Sequence, residues 1–307
     1  MTTLLDSAAT ASLLPYRALA HEIAALLADG SVKVPPRLVQ PLPGGGSLFV
    51  MPAFDGRIAI TKLITFTPAN AGTGRPTIQG DVVVFDVATG ERRLVLHGPT
   101  VTARRTAAVS LLAAQQLSPS PGGPLLIIGA GAQGLAHLEA FADALGVTEV
   151  RIASRTVTSA QTLADHARSL GVKASLVSHV DAQMRDCPLV VTCTPADTVV
   201  LRALPRPDAF IAAVGAFTPE MAELDPALCR HFAELGTIVV DTPDARHEAG
   251  DLLQAGLDVK RFADLRSVVL APLEGVRGPV LFKSCGWAGW DLAAARCALA
   301  MLTLARA

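Results

Sequence analysis

Between residues 8 and 28 apolar side chains recur three and four positions apart, which places them on one face of a helix, and Asp29-Gly30 supplies a stop. The pattern then changes to short β-like runs. These occupy 47–51, 57–66 and 81–86, the last joined through Val87-Ala88-Thr89-Gly90 to a further run at 92–96, which reads as an antiparallel hairpin. A helical pattern returns over 102–116, and the Ser, Pro and Gly residues of 118–124 mark a boundary.

Beyond that boundary strands and helices alternate. Strands are expected at 125–128, 149–153 and 174–177, with helices at about 134–145 and 159–170 between them. Further apolar strand candidates fall at 189–192, 210–214, 237–240 and 268–270. Strand, helix, strand at these lengths implies right-handed crossovers in a parallel, doubly wound sheet of about six strands. An Ala/Leu helix over 291–306 follows the completed sheet and is expected to pack against the N-terminal part of the chain. The fold class is α/β: a Rossmann-type dinucleotide-binding domain over 120–287, and an α+β domain built from 1–119 and 288–307.

Composition narrows the function classes. The 307 residues suffice for about two domains, and half of them are apolar, which excludes disorder as the main theme. Twenty-six Lys+Arg against 27 Asp+Glu give a net charge of −1, and the pI is near 6.7. That balance offers no broad attraction to nucleic acid or to an anionic membrane, so a small molecule is the expected partner. The mean hydropathy of +0.42 is spread along the chain. No apolar run approaches the ~20 residues of a membrane-spanning helix. The N-terminal segment has no basic stretch followed by an apolar one, and a cytoplasmic location is expected. The five cysteines show neither CxxC nor metal-ligand spacing with His, so reduced, buried thiols and no metal site are expected. HExxH, GxSxG and phosphate-loop lysine motifs are all missing, which argues against zinc hydrolysis, serine hydrolysis and phosphoryl transfer.

The most specific motif is Gly129-Ala130-Gly131-Ala132-Gln133-Gly134, directly after the strand Leu125-Leu126-Ile127-Ile128. In this strand-turn-helix setting Gly129 permits the tight turn, Gly131 the approach of a pyrophosphate, and Gly134 close packing of helix on strand. The second strand ends in Ala153-Ser154-Arg155-Thr156 with no carboxylate to accept the ribose hydroxyls. A cation flanked by two hydroxyls suits a 2′-phosphate, so NADP(H) is expected over NAD(H).

Taken together, several segments resemble the ornithine cyclodeaminase/mu-crystallin family. They are Asp29-Gly30, Pro36-Arg37, Met51-Pro52, Lys62, Asp86 with Thr89-Gly90, Thr102-Ala103-Arg104-Arg105-Thr106, the glycine loop, Ser154-Arg155-Thr156, Glu248-Ala249-Gly250-Asp251-Leu252 and Phe282-Lys283-Ser284-Cys285-Gly286. The resemblance implies chemistry at the α-carbon of amino acids, or binding of a carboxylate ligand with NADPH, and a homodimer formed through the N-terminal domain. It also implies that Arg37, Lys62 and Arg105 face the substrate carboxylate and reacting carbon. Three converging cations neutralise a carboxylate and polarise a C=N bond during hydride transfer. Thr192, Thr194 and Val214 on the carboxyl edge of the sheet, with Lys283 and Ser284, are expected at the nicotinamide end of the cofactor.

Two departures from the cyclodeaminase pattern select among these activities. Phe49 and Phe217 stand where cyclodeaminases carry acidic residues. Neither accepts a proton or pairs with a terminal ammonium, whereas both suit the methylenes of a ring. The expected function is therefore NADPH-dependent reduction of pyrroline-2-carboxylate or piperideine-2-carboxylate to proline or pipecolate. Ornithine cyclodeamination and a mu-crystallin-like binding protein are the alternatives. Asp225, Asp241, Glu248 and Asp251 are carboxylates near the expected cleft, without a leading catalytic assignment, and His97 and His137 read as structural.

Overall fold

In the computed structural model, which describes residues 3–70, 73–195, 198–271, 273, 276 and 278–305, the chain forms two units. One is Met1–Arg105 with Trp287–Ala307, and the other is Thr106–Gly286. The sequence placed the first boundary at 119/120, in the Ser/Pro/Gly stretch. The division instead falls inside one long helix, because that helix continues unbroken from the first unit into the second.

The first unit opens with β1 (Thr3–Leu4), α1 (Ser7–Ser12) and α2 (Tyr16–Ala28). The single helix expected over 8–28 is thus two. Pro15 has no amide to donate and disfavours helical backbone at Leu14, so the chain turns before α2 begins. There follow β2 (Leu38–Leu42), β3 (Gly46–Phe54), β4 (Ile58–Phe66), β5 (Ile78–Asp86) and β6 (Arg92–His97), then α3 (Gly98–Leu117). The sheet order is β1-β6-β5-β4-β3-β2, antiparallel except for β1 on β6. Along β4 Ile58, Ile60 and Lys62 are buried. Lys62 lies opposite Met51 on β3 and Val82 on β5, both buried, so it occupies a core register otherwise held by apolar side chains.

The second unit contains β7 (Leu125–Ile128), α4 (Ala132–Leu145), β8 (Glu149–Ala153), α5 (Val157–Ser169) and β9 (Lys173–Leu176). It continues through α6 (Val180–Gln183), β10 (Leu189–Thr192), β11 (Phe210–Ala213), α7 (Pro226–Leu235) and β12 (Thr237–Val240). The last elements are α8 (Ala245–Glu248), α9 (Gly250–Gln254), β13 (Ala263–Asp264), α10 (Leu265–Leu270) and β14 (Val280–Lys283). All eight strands are parallel, in the order β13-β12-β14-β11-β10-β7-β8-β9. Strand order reverses between β7 and β10, the crevice where a doubly wound sheet takes a dinucleotide.

Eight strands replace the expected six or so. The run at 268–270 belongs to α10, whose start is capped by Asp264 accepting from the Ser267 amide at 2.7 Å. Strand β14, between β11 and β12, is not among the expected strands, and only its last two residues fall in the segment Phe282-Lys283-Ser284-Cys285-Gly286. Its four residues are fully covered by neighbours, so they carry no alternation. After β14 the chain returns to the first unit as α11 (Ala288–Leu304), which packs on α2 and on β3, β4 and β5. Arg296 anchors it: Nε donates to Asp55 at 2.6 Å and a terminal nitrogen donates to Asp29 at 2.6 Å.

Candidate active site

In the first unit, two of the expected substrate residues, Lys62 and Arg105, meet on a carboxylate that the sequence motifs do not single out. The register of β4 turns Lys62 toward α11, where Asp291 sits fully buried in the first turn, and Lys62 Nζ lies 2.9 Å from Asp291 Oδ2. From α3, Arg105 Nε donates to Asp291 Oδ1 at 3.3 Å. The Arg105 guanidinium makes no other hydrogen bond or ion pair among the described residues, so its two terminal nitrogens are available to a ligand. Arg37, half-buried just ahead of β2, adds its field at Lys62. Burial above all, with the charges of Arg105 and Arg37, pulls the Lys62 pKa down from 10.5 to about 8 against the attraction of Asp291. Such an ammonium gives up its proton near neutral pH. Phe49 is half-buried on the same face of β3 as Met51, one step along from Lys62.

In the second unit the loop after β7 has the shape of a phosphate cradle. Gly129 has φ +116, and a Cβ there would meet the Cys193 carbonyl oxygen at 2.7 Å. A Cβ on Gly134 would collide with the Gly129 carbonyl oxygen, whereas one on Gly131 would meet nothing within 4 Å. The Gly131 N-cap of α4 has no capping side chain, which leaves the first amides of α4 to bind an anion. Gln133 Oε1 is buried without a hydrogen-bond partner. A dinucleotide pyrophosphate fits this cradle. After β8, Ser154 is half-buried and Arg155 exposed, and Thr156 caps α5 by accepting from the Ser159 amide at 3.4 Å.

The carboxyl edge of the same sheet is tied together by Glu223, another residue without a sequence signal. Its buried carboxylate accepts from Thr192 Oγ1 at 3.0 Å, from the Thr194 amide at 2.7 Å and hydroxyl at 2.9 Å, and from the Gly215 amide at 2.7 Å. Asp251 in turn accepts from the Glu223 amide at 2.6 Å and lies 2.7 Å from Lys283 Nζ. Lys283 also donates to the Ala216 carbonyl at 2.6 Å and is fully buried, so it is no surface lysine. Ser284 donates to Asp241 at 2.8 Å, and Asp241 also accepts from the Cys285 and Gly286 amides at 2.9 and 2.8 Å. The hydroxyls of Thr192, Thr194 and Ser284 are thus engaged in holding the ends of β10, β11 and β14, where Val214 is half-buried and Phe217 is 44% exposed. Asp225 caps α7, and Glu248 ends α8.

His137 lies between the Gln133 carbonyl at 2.8 Å and the Ser110 hydroxyl at 3.0 Å, and burial drives its pKa down to about 4. It is a neutral packing group. His97 contacts Thr100 at 2.8 Å beside the start of α3. All five cysteines are free and buried. Among the described residues, no group of His, Cys, Asp and Glu is arranged to hold a metal, and no helix is long and apolar enough to cross a membrane.

The ornithine cyclodeaminase/mu-crystallin family model matches residues 9–300. A Delta(1)-pyrroline-2-carboxylate reductase of Burkholderia ambifaria is 41% identical over 298 residues, which is 95% of this chain and 94% of that protein. The Delta(1)-pyrroline-2-carboxylate/Delta(1)-piperideine-2-carboxylate reductase of Azospirillum brasilense is 39% identical, covering 98% and 96% of the two chains. Among solved structures, the Thermococcus litoralis Delta(1)-pyrroline-2-carboxylate reductase in complex with NADH and L-proline superposes with a TM-score of 0.86 at 23% identity, covering 96% and 95% of the chains. Sequence match over nearly the full length and shared fold agree with the motifs: the chain belongs to the ornithine cyclodeaminase/mu-crystallin family.

Proposed function

We propose that this protein is an NADPH-dependent reductase of cyclic imino acids, converting pyrroline-2-carboxylate or piperideine-2-carboxylate to proline or pipecolate. The observation that carries the reading is the group formed by Lys62, Arg105 and Asp291, with Arg37 beside it. Two cations on one carboxylate leave a positive surplus, which one substrate carboxylate reduces. The terminal nitrogens of Arg105 grip that carboxylate, with Arg37 assisting. Lys62, with its pKa near 8, gives a proton to the ring nitrogen and stabilises charge as the C=N bond is reduced. A reduced nicotinamide cofactor held at the glycine loop would supply the hydride that the imine carbon takes up. Proton and hydride together account for the two hydrogens gained by the product. Phe49 and Phe217 leave no carboxylate for the terminal ammonium of ornithine, which favours a neutral ring. The Burkholderia and Azospirillum relatives, which match 95% and 98% of the chain, carry the names of this activity.

The glycine loop, from Gly129 to Gln133, holds the pyrophosphate of a pyridine nucleotide. Arg155, with Ser154 and Thr156, provides for the 2′-phosphate of NADPH in preference to NADH. Thr192, Thr194, Val214, Lys283 and Ser284 shape the nicotinamide end. The five free thiols accord with the reducing cytoplasm. A homodimer through the outer face of the first sheet accounts for Leu38 at 56% and Leu63 at 44% exposure, both cross-strand neighbours of Val50.

The test is NADPH oxidation with freshly prepared pyrroline-2-carboxylate and piperideine-2-carboxylate, run beside an ammonia-release assay with ornithine. Oxidation that depends on an imine is expected, with no ammonia from ornithine. Ammonia without imine reduction would overturn the reading in favour of a cyclodeaminase. NADPH binding without turnover of either substrate would favour a binding protein.

A further inference from the structure

Asp291 is fully buried, yet its two oxygens face two cations from different elements, Lys62 of β4 at 2.9 Å and Arg105 of α3 at 3.3 Å. An unaided carboxylate in such a place is strongly disfavoured, and one oxygen on each cation compensates for burial. The contact on Arg105 is with Nε alone. A guanidinium pinned at Nε has a defined plane and keeps its two terminal nitrogens as a fork for a second carboxylate. The largest charge effects at Lys62 come from Asp291 of α11, Arg105 of α3 and Arg37 ahead of β2. Asp291 is the one anion among them.

We propose that Asp291 is a positioning residue for imine reduction, which keeps Lys62 protonated as the proton donor and turns the terminal nitrogens of Arg105 toward the substrate carboxylate. The proposal rests on the reductase reading for its substrate. Its effect on Lys62 is a property of the protein alone, and is readable without turnover. The Asp291 side chain itself does not touch the substrate in this scheme. It acts through the two cations.

Lys33, Lys62, Lys173, Lys260 and Lys283 are the chain's five lysines, few enough for their ε-carbons to be followed individually by NMR after ¹³C-lysine labelling, with the Lys62 signal assigned from K62M. In D291N the Lys62 titration midpoint is expected to fall by about 1–3 pH units relative to wild type, because its counter-charge is gone. The alkaline limb of kcat/KM for the imine should move down with it, and KM for the imine should rise while NADPH affinity is unchanged. A midpoint and limb that stay at the wild-type position would overturn the proposal, even if turnover fell. If D291N does not fold, D291E retains the charge: its Lys62 midpoint should stay within about half a unit of wild type while turnover drops, and a downward displacement of a full unit would overturn the proposal. A wild-type protein inactive with both imines would remove the reductase reading and leave the NMR comparison intact. Normal imine turnover with an unmoved Lys62 signal would do the reverse.

Discussion

Two fully buried lysines, one in each unit, have opposite electrostatic fates. Lys62 is 2.9 Å from Asp291 and its pKa is pulled down to about 8. Lys283 is 2.7 Å from Asp251, and burial pushes its pKa down while Asp251, Cys285 and Glu223 outweigh that, leaving it above 10.5. Burial and a carboxylate partner are common to both. The difference is the rest of the neighbourhood: Lys62 shares its carboxylate with Arg105 and has Arg37 nearby, whereas Lys283 stands between two carboxylates and donates to a backbone carbonyl. A cation in surplus positive charge gives up a proton and attracts an anionic ligand. A cation in surplus negative charge is locked in place. The first cluster is suited to chemistry and the second to architecture.

The sharpest way to break this comparison is to replace each lysine by methionine. Lys283→Met leaves Glu223 and Asp251 buried without their cation, and a loss of about 3–5 kcal/mol in unfolding free energy is expected, or failure to accumulate as folded protein. Lys62→Met leaves Asp291 paired to Arg105, so stability should change by no more than about 1 kcal/mol while imine reduction falls about 10²–10⁴-fold. Denaturant unfolding and turnover of the two variants decide the matter. A stable, active K283M, or a K62M that unfolds without a selective loss of turnover, would erase the distinction.

Cofactor choice gives a smaller and independent contrast between the units. Arg155→Asp removes a partner for the 2′-phosphate and adds a repelling charge, so NADPH affinity should fall about 10–100-fold more than NADH affinity. Titration of both nucleotides measures it. Equal losses would mean that the exposed Arg155 does not meet the 2′-phosphate.

Elements whose residues look different from their surroundings were legible in the sequence, and elements defined by long-range burial were not. The glycine loop announces itself because only glycine tolerates φ +116 at Gly129 and the close approach at Gly134. Strands β7, β8, β10 and β12 stood out as apolar runs between turns. Strand β14 did not, because its apolar run is only Val280-Leu281-Phe282, closed at once by Lys283 and Ser284. Leu13-Leu14 continued the helical apolar pattern and masked the break that Pro15 imposes. Of the site, Lys62, Arg105 and Arg37 were named from the motifs, while Asp291 was absorbed into an expected amphipathic helix. Its signal was present: an acid inside Ala288-Gly289-Trp290-Asp291-Leu292-Ala293, with no polar neighbour, has to be buried with a partner. Glu223 had no such signal, because Glu-Leu-Asp-Pro reads equally as a solvated turn before α7.

The least conspicuous consequence of the comparison lies in the alkaline stability of the fold. Lys62 is protonated in the unfolded chain up to about 10.5 but in the folded protein only up to about 8. Between those values the unfolded state holds more protons, so this group makes stability rise with pH. Lys283 behaves in the opposite sense: its folded pKa is raised, its stabilisation is complete below 10.5, and it is lost only at higher pH. Of the two lysines, only Lys62 contributes a slope within the window from about 8 to about 9.5, and wild type should gain about 1–2 kcal/mol over K62M across it. Urea unfolding of the two proteins at a series of pH values isolates that difference, since every other titrating group is common to both. A constant gap would mean that Lys62 keeps an ordinary ammonium in the folded protein, and with it would go the electrostatic distinction between the two buried lysines.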